Sequence, residues 1–110
     1  MEKYNFGIIG VGPVGSIMAA HLAKAGHNVT LIDILKAHMD EIKKSGLSIT
    51  GVKEMNVPFH EKNICYGIDE MSDKDIDIIF ISVKASVLSQ ILPILKTIAK
   101  PDMTFIMLHL

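Results

Sequence analysis

The sequence FGIIGVGPVG at positions 6–15 decides the fold of this chain. A short apolar run leads into glycines with the spacing G-x-G-x-x-G, and good helix formers follow directly. This order is typical of a strand, a tight turn and a helix whose N-terminus binds a nucleotide pyrophosphate. Gly10 permits the turn, Gly12 lets the backbone approach the phosphates, and Gly15 lets the helix pack close to the strand. The helix N-terminus offers free N–H groups and a positive dipole end, and Pro13 suits its first position.

An acidic residue supports the dinucleotide interpretation. The first helix is predicted over 13–25, Gly26 ends it, and a second strand over 29–32 leads into Asp33, which lies 18 residues after Gly15. A carboxylate there accepts hydrogen bonds from ribose hydroxyls and repels a 2′-phosphate, so it favours NAD over NADP. Asp33 also suits the cap of the next helix, and the two roles are compatible. The alternative is that the glycines only mark a tight turn in another α/β protein.

The remaining elements complete a doubly wound α/β fold with a mainly parallel sheet, Rossmann-type, that ends after about the fifth core strand. The first strand is predicted over 4–9. The later elements are a helix over 35–45, a hairpin over 47–50 and 53–57, a strand over 64–66, a helical turn over 70–74, a central strand over 76–83, a helix over 86–99 and a last strand over 103–108. Pro93 predicts a kink or break in the last helix.

The apolar spacing of the first two helices predicts which side chains face the sheet. These are Val14, Ile17, Met18, Leu22 and Ala25 in the first helix, and Leu35, Met39 and Ile42 in the second. Lys36 is interpreted as a surface residue and not as a phosphate ligand.

The central strand ends on Val83 and Lys84. Because ligands of open parallel sheets bind at the carboxyl ends of the strands, these residues are expected near the cofactor. A lysine there meets a phosphate, a ribose hydroxyl or a substrate carboxylate. The alternative is a lysine that merely occupies the first turn of the next helix.

Composition excludes several classes of protein. The chain has 110 residues, enough for one domain over 1–110, and 49% are apolar. A net charge of −1 without a basic patch argues against nucleic acid as the partner. No apolar run is long enough for a membrane span, and the N-terminus has no signal-peptide pattern. The single Cys65 predicts a buried, inert thiol and fits a reducing compartment. A cytoplasmic protein is therefore expected. The five histidines show no ligand spacing, so no metal site is expected.

Four stretches resemble the N-terminal domain of the ketopantoate reductase (2-dehydropantoate 2-reductase) family: GVGPVGS at 10–16, LAKAGHNVTL at 22–31, SGLSI at 45–49 and IFISVKA at 79–85. The first two are shared by many Rossmann dehydrogenases. The resemblance implies reduction of a 2-keto acid by a nicotinamide cofactor, usually NADPH, on the route to pantothenate. It also implies contact of Lys84 with cofactor or substrate. Taken together, the predicted cofactor-binding residues are Gly10, Gly12, Pro13, Val14, Gly15, Asp33, Val83 and Lys84.

Two departures from the family pattern bear on function. Asp33-Ile34 stands where the family commonly has a basic residue for the 2′-phosphate, and His109-Leu110 stands where it usually has Gln-Asn-Gly. The resemblance implies that the family's catalytic lysine and substrate-binding residues come from a second, helical domain, which we expect to be absent from this chain, so no catalytic residue is assigned. We expect the chain alone to be inactive, and an apolar face left by that domain to favour homodimerisation. The alternatives are the cofactor domain of a 3-hydroxyacyl-CoA or sugar-nucleotide dehydrogenase, and a non-catalytic nucleotide-sensing module.

Overall fold

The computed structural model describes residues 3–51 and 54–108. Residues 1–2, 52–53 and 109–110 lie outside it, so the predicted start of the second hairpin strand at Lys53 and the departure at His109-Leu110 fall outside the described residues. The strands are β1 Asn5–Ile9, β2 Asn28–Ile32, β3 Leu47–Ile49, β4 Met55–Val57, β5 Ile64–Cys65, β6 Ile78–Ile81 and β7 Thr104–Met107. The helices are α1 Pro13–Lys24, α2 Lys36–Ser45 and α3 Ala85–Ile98, with 3₁₀ turns at Glu61–Asn63 and Ile68–Met71.

Five strands form one parallel sheet in the order β5-β2-β1-β6-β7. The antiparallel hairpin β3-β4 forms a separate sheet. Because the chain runs outward from β1 through β2 to β5 and then returns to β6 on the other side, the order reverses between β1 and β6. The carboxyl ends of these two strands therefore border the crevice in which doubly wound proteins bind ligands. The predicted fold class is confirmed.

The helices cover both faces of the sheet. Along β1, Ile8 belongs to the apolar cluster that contains Ala19 of α1 and Met39 of α2. Its neighbour Ile9 belongs to a second cluster that contains Leu95 of α3. Since successive strand residues point to opposite faces, α1 and α2 lie on one face and α3 lies on the other.

The predicted inward face of α1 is wrong in part. Ile17 is 48% exposed, whereas Gly15, Ser16, Ala19 and Ala20 are the buried residues of this helix. Small side chains let the helix axis come close to the sheet, so the larger residues flank the contact. Met18 and Leu22 are partly buried at its border, and Val14 is also half-buried, while Ala25 is exposed.

Three further details differ from prediction. Leu35 precedes α2 as its N-cap and is 61% exposed, while Met39 and Ile42 are buried as expected. The turn expected over 70–74 is a 3₁₀ turn over Ile68–Met71 that follows extended backbone at Gly67. The expected break at Pro93 is absent, and α3 runs through it as one helix, with Leu95 and Ile98 beyond it packed on the sheet. No described helix is long and apolar enough to cross a membrane.

Candidate functional site at the carboxyl edge of the sheet

Gly10 joins the ends of three strands. Its φ is +93°, a conformation that L side chains rarely adopt, and its N–H donates to the Ile32 carbonyl at 2.9 Å. A Cβ at this position would collide with the carbonyl oxygen of Ser82. Gly10 therefore forms the turn after β1, ties β1 to β2 and lies directly against the residue that follows β6.

Gly15 and Gly12 differ in what surrounds them. A Cβ on Gly15 would collide with the Gly10 carbonyl oxygen, so the start of α1 lies directly against the loop. Gly12 has an ordinary φ of −86°, and a Cβ there would have no atom within 4 Å. The protein's own packing thus requires glycine at positions 10 and 15 but not at 12. The open side of Gly12 fits a ligand that approaches the backbone closely, which is what a pyrophosphate would need.

The N-terminus of α1 faces this open side. Gly12 is its N-cap and Pro13 occupies its first position, as predicted. The Ser16 N–H donates to the Gly12 carbonyl at 2.8 Å. The N–H groups of Val14 and Gly15 come before this bond, in the turn where an α-helix has no internal acceptors. These N–H groups and the positive end of the helix dipole suit an anion.

Two clefts share Gly12 and Pro13. The larger cleft, of about 590 Å³, is bordered by Asp33, His38 and the segment 48–50 of the hairpin. We call it the Asp33 cleft. The smaller cleft, of about 290 Å³, is lined by six further residues: Val14, Ser82, Val83, Lys84, Ala85 and Leu108. We call it the Lys84 cleft. Six of the eight predicted site residues line these clefts, and Gly10 and Gly15 lie behind them as parts of the loop.

Asp33 has two structural hydrogen bonds. Its Oδ2 accepts from the Val11 N–H at 2.9 Å, and its Oδ1 accepts from the Leu35 N–H at 3.0 Å. The predicted cap role of Asp33 is wrong, because Leu35 is the N-cap of α2 and the bond from its N–H to Asp33 fixes the turn before the helix. A carboxylate has about four lone-pair sites, so both oxygens keep capacity for ribose hydroxyls. Asp33 thus fixes the glycine loop and faces the Asp33 cleft at the same time.

Lys84 is the N-cap residue of α3 and is exposed. Its carbonyl accepts from the N–H groups of Val87 and Leu88, so its backbone begins the helix while its side chain lines the Lys84 cleft. Both interpretations of this lysine are therefore compatible. It brings a positive charge to the side of the glycine loop opposite Asp33.

His38 was missed by sequence analysis. Its Nε2 lies 2.8 Å from the carbonyl oxygen of Val11, and the residue lines the Asp33 cleft. The available signal was its position on the first turn of α2, the helix that begins shortly after β2 and Asp33. That turn begins at the same edge of the sheet as the glycine loop.

One known protein family matches almost the whole chain. The model described as ketopantoate reductase PanE/ApbA matches residues 6–109. The chain belongs to the ketopantoate reductase family. A relative, the 2-dehydropantoate 2-reductase of Pyrococcus abyssi, is 42% identical over 50 residues, which are 46% of this chain and 16% of that protein.

Two solved structures also resemble this ketopantoate reductase family domain. One, described as a 2-dehydropantoate 2-reductase from Enterococcus faecalis, has a TM-score of 0.77 at 24% identity and covers 96% of this chain. The other is D-mandelate dehydrogenase with NADH and anilino(oxo)acetate, with a TM-score of 0.74 at 26% identity over 94% of this chain. The chain spans 33% of the length of each. The predicted family is confirmed.

A third cleft lies at the opposite end of the sheet. It has a volume of about 330 Å³ and is lined by polar residues at the amino ends of β1 and β2. The Asn63 amide donates to Asn28 at 2.9 Å and to Thr30 at 3.2 Å, and Asn28 donates to Asn5 at 3.0 Å. These amides satisfy one another and join the loop before β5 to the sheet. We therefore assign this cleft a structural role.

Lys36 is engaged on the surface of α2. Its Nζ lies 2.7 Å from Oδ2 of Asp40, and both side chains are exposed. The hydrogen bond from Lys36 lowers the pKa of Asp40, and the Tyr66 hydroxyl, which also donates to Asp40, acts in the same direction. Lys36 lines neither of the clefts at Gly12, in line with its interpretation as a surface residue.

Cys65 is buried, as predicted. Burial raises the pKa of its thiol to about 11, so the thiol is protonated at neutral pH and is a poor nucleophile. Within 3–51 and 54–108, no three His, Cys, Asp or Glu residues are grouped as metal ligands.

Proposed function

We propose that this chain binds a nicotinamide dinucleotide across Gly12 and Pro13, as the cofactor domain of a reductase of 2-keto acids such as 2-dehydropantoate. The observation that carries the proposal is the pair of clefts that meet at the N-terminus of α1. The pyrophosphate would lie on the N–H groups of that terminus. The adenosine would occupy the Asp33 cleft, and the nicotinamide would occupy the Lys84 cleft.

Relatives support this choice of ligand and substrate class. The Pyrococcus abyssi relative is a 2-dehydropantoate 2-reductase, and the D-mandelate dehydrogenase structure contains NADH and anilino(oxo)acetate. When bound, a reduced nicotinamide supplies a hydride to the carbonyl carbon of a keto acid, and the carbonyl oxygen takes a proton. The role proposed for this chain is to hold the dinucleotide and to orient it. Lys84 contributes a positive charge near a phosphate, a ribose hydroxyl or the substrate carboxylate.

We further propose that Asp33 makes NADH the preferred cofactor. The carboxylate accepts from ribose hydroxyls and repels a 2′-phosphate at the same place. Calorimetric titration with NAD, NADH, NADP and NADPH is expected to show NADH binding about tenfold more tightly than NADPH, about 1.4 kcal/mol. Asp33→Asn removes the charge and keeps one acceptor. NADH affinity is therefore expected to fall and NADPH affinity to rise, so that the ratio of the two affinities approaches one.

Asp102→Asn is the matched control, since this exposed carboxylate lies in the turn before β7 and lines neither cleft. Asp102→Asn is expected to leave the ratio of NADH to NADPH affinity unchanged. Absence of heat with all four dinucleotides would refute the cofactor proposal. Tighter binding of NADPH by the unmodified chain would refute only the role of Asp33 in cofactor choice.

We propose that the 110-residue chain binds cofactor without reducing 2-dehydropantoate. The chain spans a third or less of the proteins it matches, and hydride transfer requires cofactor and ketone to be held at near-attack distance. Loss of NADH absorbance in the presence of 2-dehydropantoate is expected to equal the rate without protein. A full-length family member run in parallel shows that the assay works. Turnover by the short chain would contradict the proposal, whereas binding without turnover is also what a nucleotide-sensing module would show.

The expected homodimer remains a prediction. The surface that it would use is the edge strand β7, where Phe105, Ile106 and Met107 are each 37% exposed. Unpaired apolar edge strands favour association. Location in the cytoplasm likewise remains a prediction.

A further inference from the structure

The backbone of Val11 is held from both sides by side chains. Its N–H donates to Asp33 at 2.9 Å. Its carbonyl oxygen lies 2.8 Å from Nε2 of His38 and accepts a longer bond of 3.3 Å from the Ser16 hydroxyl. The Val11 side chain itself is buried. Two consecutive peptide groups of the glycine loop are therefore fixed, one by Asp33 and the other mainly by His38.

The bond to the Val11 carbonyl determines the direction of the next amide. In a trans peptide the C=O and the following N–H point to opposite sides of the chain. A carbonyl of Val11 held towards His38 thus turns the Gly12 N–H away from His38. Gly12 lines both clefts, so the peptide group that His38 holds borders the proposed pyrophosphate site.

The chemistry of the contact assigns a proton to His38. A carbonyl oxygen only accepts, so Nε2 carries the hydrogen and donates it. His38 is exposed and lies outside the two apolar clusters, so it contributes little to the core. Its contact with Val11 spans 27 residues of sequence and joins α2 to the glycine loop.

We propose that His38 is a positioning residue for the pyrophosphate loop. Its Nε2–H holds the Val11 carbonyl and so orients the Gly12 amide before the ligand arrives. A loop that is already ordered binds more tightly, because less conformational entropy is lost on binding. His38 also lines the Asp33 cleft, but the role proposed here acts through the Val11 carbonyl. The inference rests on the proposed function only where it predicts an effect on NADH affinity.

The test compares a replacement that keeps the hydrogen-bond donor with one that removes it. His38→Gln keeps an N–H donor near the position of Nε2, whereas His38→Phe keeps a planar ring and removes the donor. His21→Phe on the exposed side of α1 is the matched control, since it lines neither cleft. Amide hydrogen exchange of Val11, whose N–H is bonded to Asp33, is measured by NMR in the ligand-free proteins, and NADH affinity is measured by calorimetry.

In His38→Phe, exchange at the Val11 amide is expected to rise about fivefold and NADH affinity to fall about fivefold, the effect of one ordinary hydrogen bond. His38→Gln is expected to keep the exchange rate and the NADH affinity close to those of the unmodified chain, and His21→Phe is expected to change neither quantity. Unchanged exchange in His38→Phe would overturn the proposal, whether or not affinity falls, because a fall alone would mean direct ligand contact. Faster exchange with unchanged NADH affinity would also overturn it. If the unmodified chain does not bind NADH, the proposed function fails, and the exchange data still decide whether His38 orders the loop.

Discussion

Replacing Gly12 by valine is expected to abolish dinucleotide binding and to leave the fold intact. The φ of −86° suits any residue, and a Cβ would meet no protein atom within 4 Å. The added side chain would instead fill the space that the pyrophosphate needs above the N-terminus of α1. We expect NADH affinity to fall at least about 100-fold, which is about 2.8 kcal/mol. Loss of glycine at the N-cap is expected to cost only about 1 kcal/mol of stability.

Calorimetric titration with NADH and a thermal melt measure the two effects on the same sample. Gly26→Ala is the control with the opposite expectation. Gly26 has a φ of +97° at the end of α1, has open space around it and lines neither cleft. Alanine there is expected to cost about 1–2 kcal/mol of stability and to leave NADH affinity unchanged. Gly12→Val with the affinity of the unmodified chain would mean that no phosphate approaches position 12.

Replacing Gly15 by alanine is expected to cause a large loss of stability. A Cβ there would collide with the backbone carbonyl of Gly10, and neither backbone segment can move without shifting α1 or β1. Overpacking at a rigid contact costs typically 1–3 kcal/mol and at times more, so we expect a loss of about 3 kcal/mol. For a domain of this size, that corresponds to a decrease in melting temperature of at least about 10 °C.

Urea denaturation measures this free energy of unfolding, and Gly10→Ala provides a second variant in the same loop. Gly10→Ala adds the strain of a positive φ to a clash with the Ser82 carbonyl, so its loss is expected to be at least as large. Gly12→Ala, at the third glycine of the loop, is expected to stay within about 1 kcal/mol of the unmodified chain. Equal stability of the Gly15→Ala and unmodified chains would show that α1 does not pack against the loop as described.

Most of the fold was predictable because its elements carry strong local signals. Apolar runs marked β1, β2 and β6, and the glycine spacing marked the turn into α1. The reversal of strand order then followed from the general topology of doubly wound sheets. The inward face of α1 was not predictable from apolar spacing, because closeness to the sheet selects small residues and leaves Ile17 at the border of a cleft.

The candidate site was predictable where a residue's position in the chain, in the glycine loop or just after a strand, indicates its function. The lining residues Gly12, Asp33 and Lys84 were found in this way. His38 was not, because its contact depends on how α2 returns over the glycine loop. The segment 48–50 was missed as part of the Asp33 cleft for the same reason, since only the tertiary position of the hairpin brings it there.

The location of the bound dinucleotide is the most direct test of this account. Addition of NADH to the ¹⁵N-labelled chain is expected to shift the amide resonances around Gly12 and Val14, at Asp33 and at Lys84, on both sides of the N-terminus of α1. Shifts confined to the opposite end of the sheet, around Asn5, Asn28 and Asn63, would contradict it, as would a spectrum that NADH leaves unchanged.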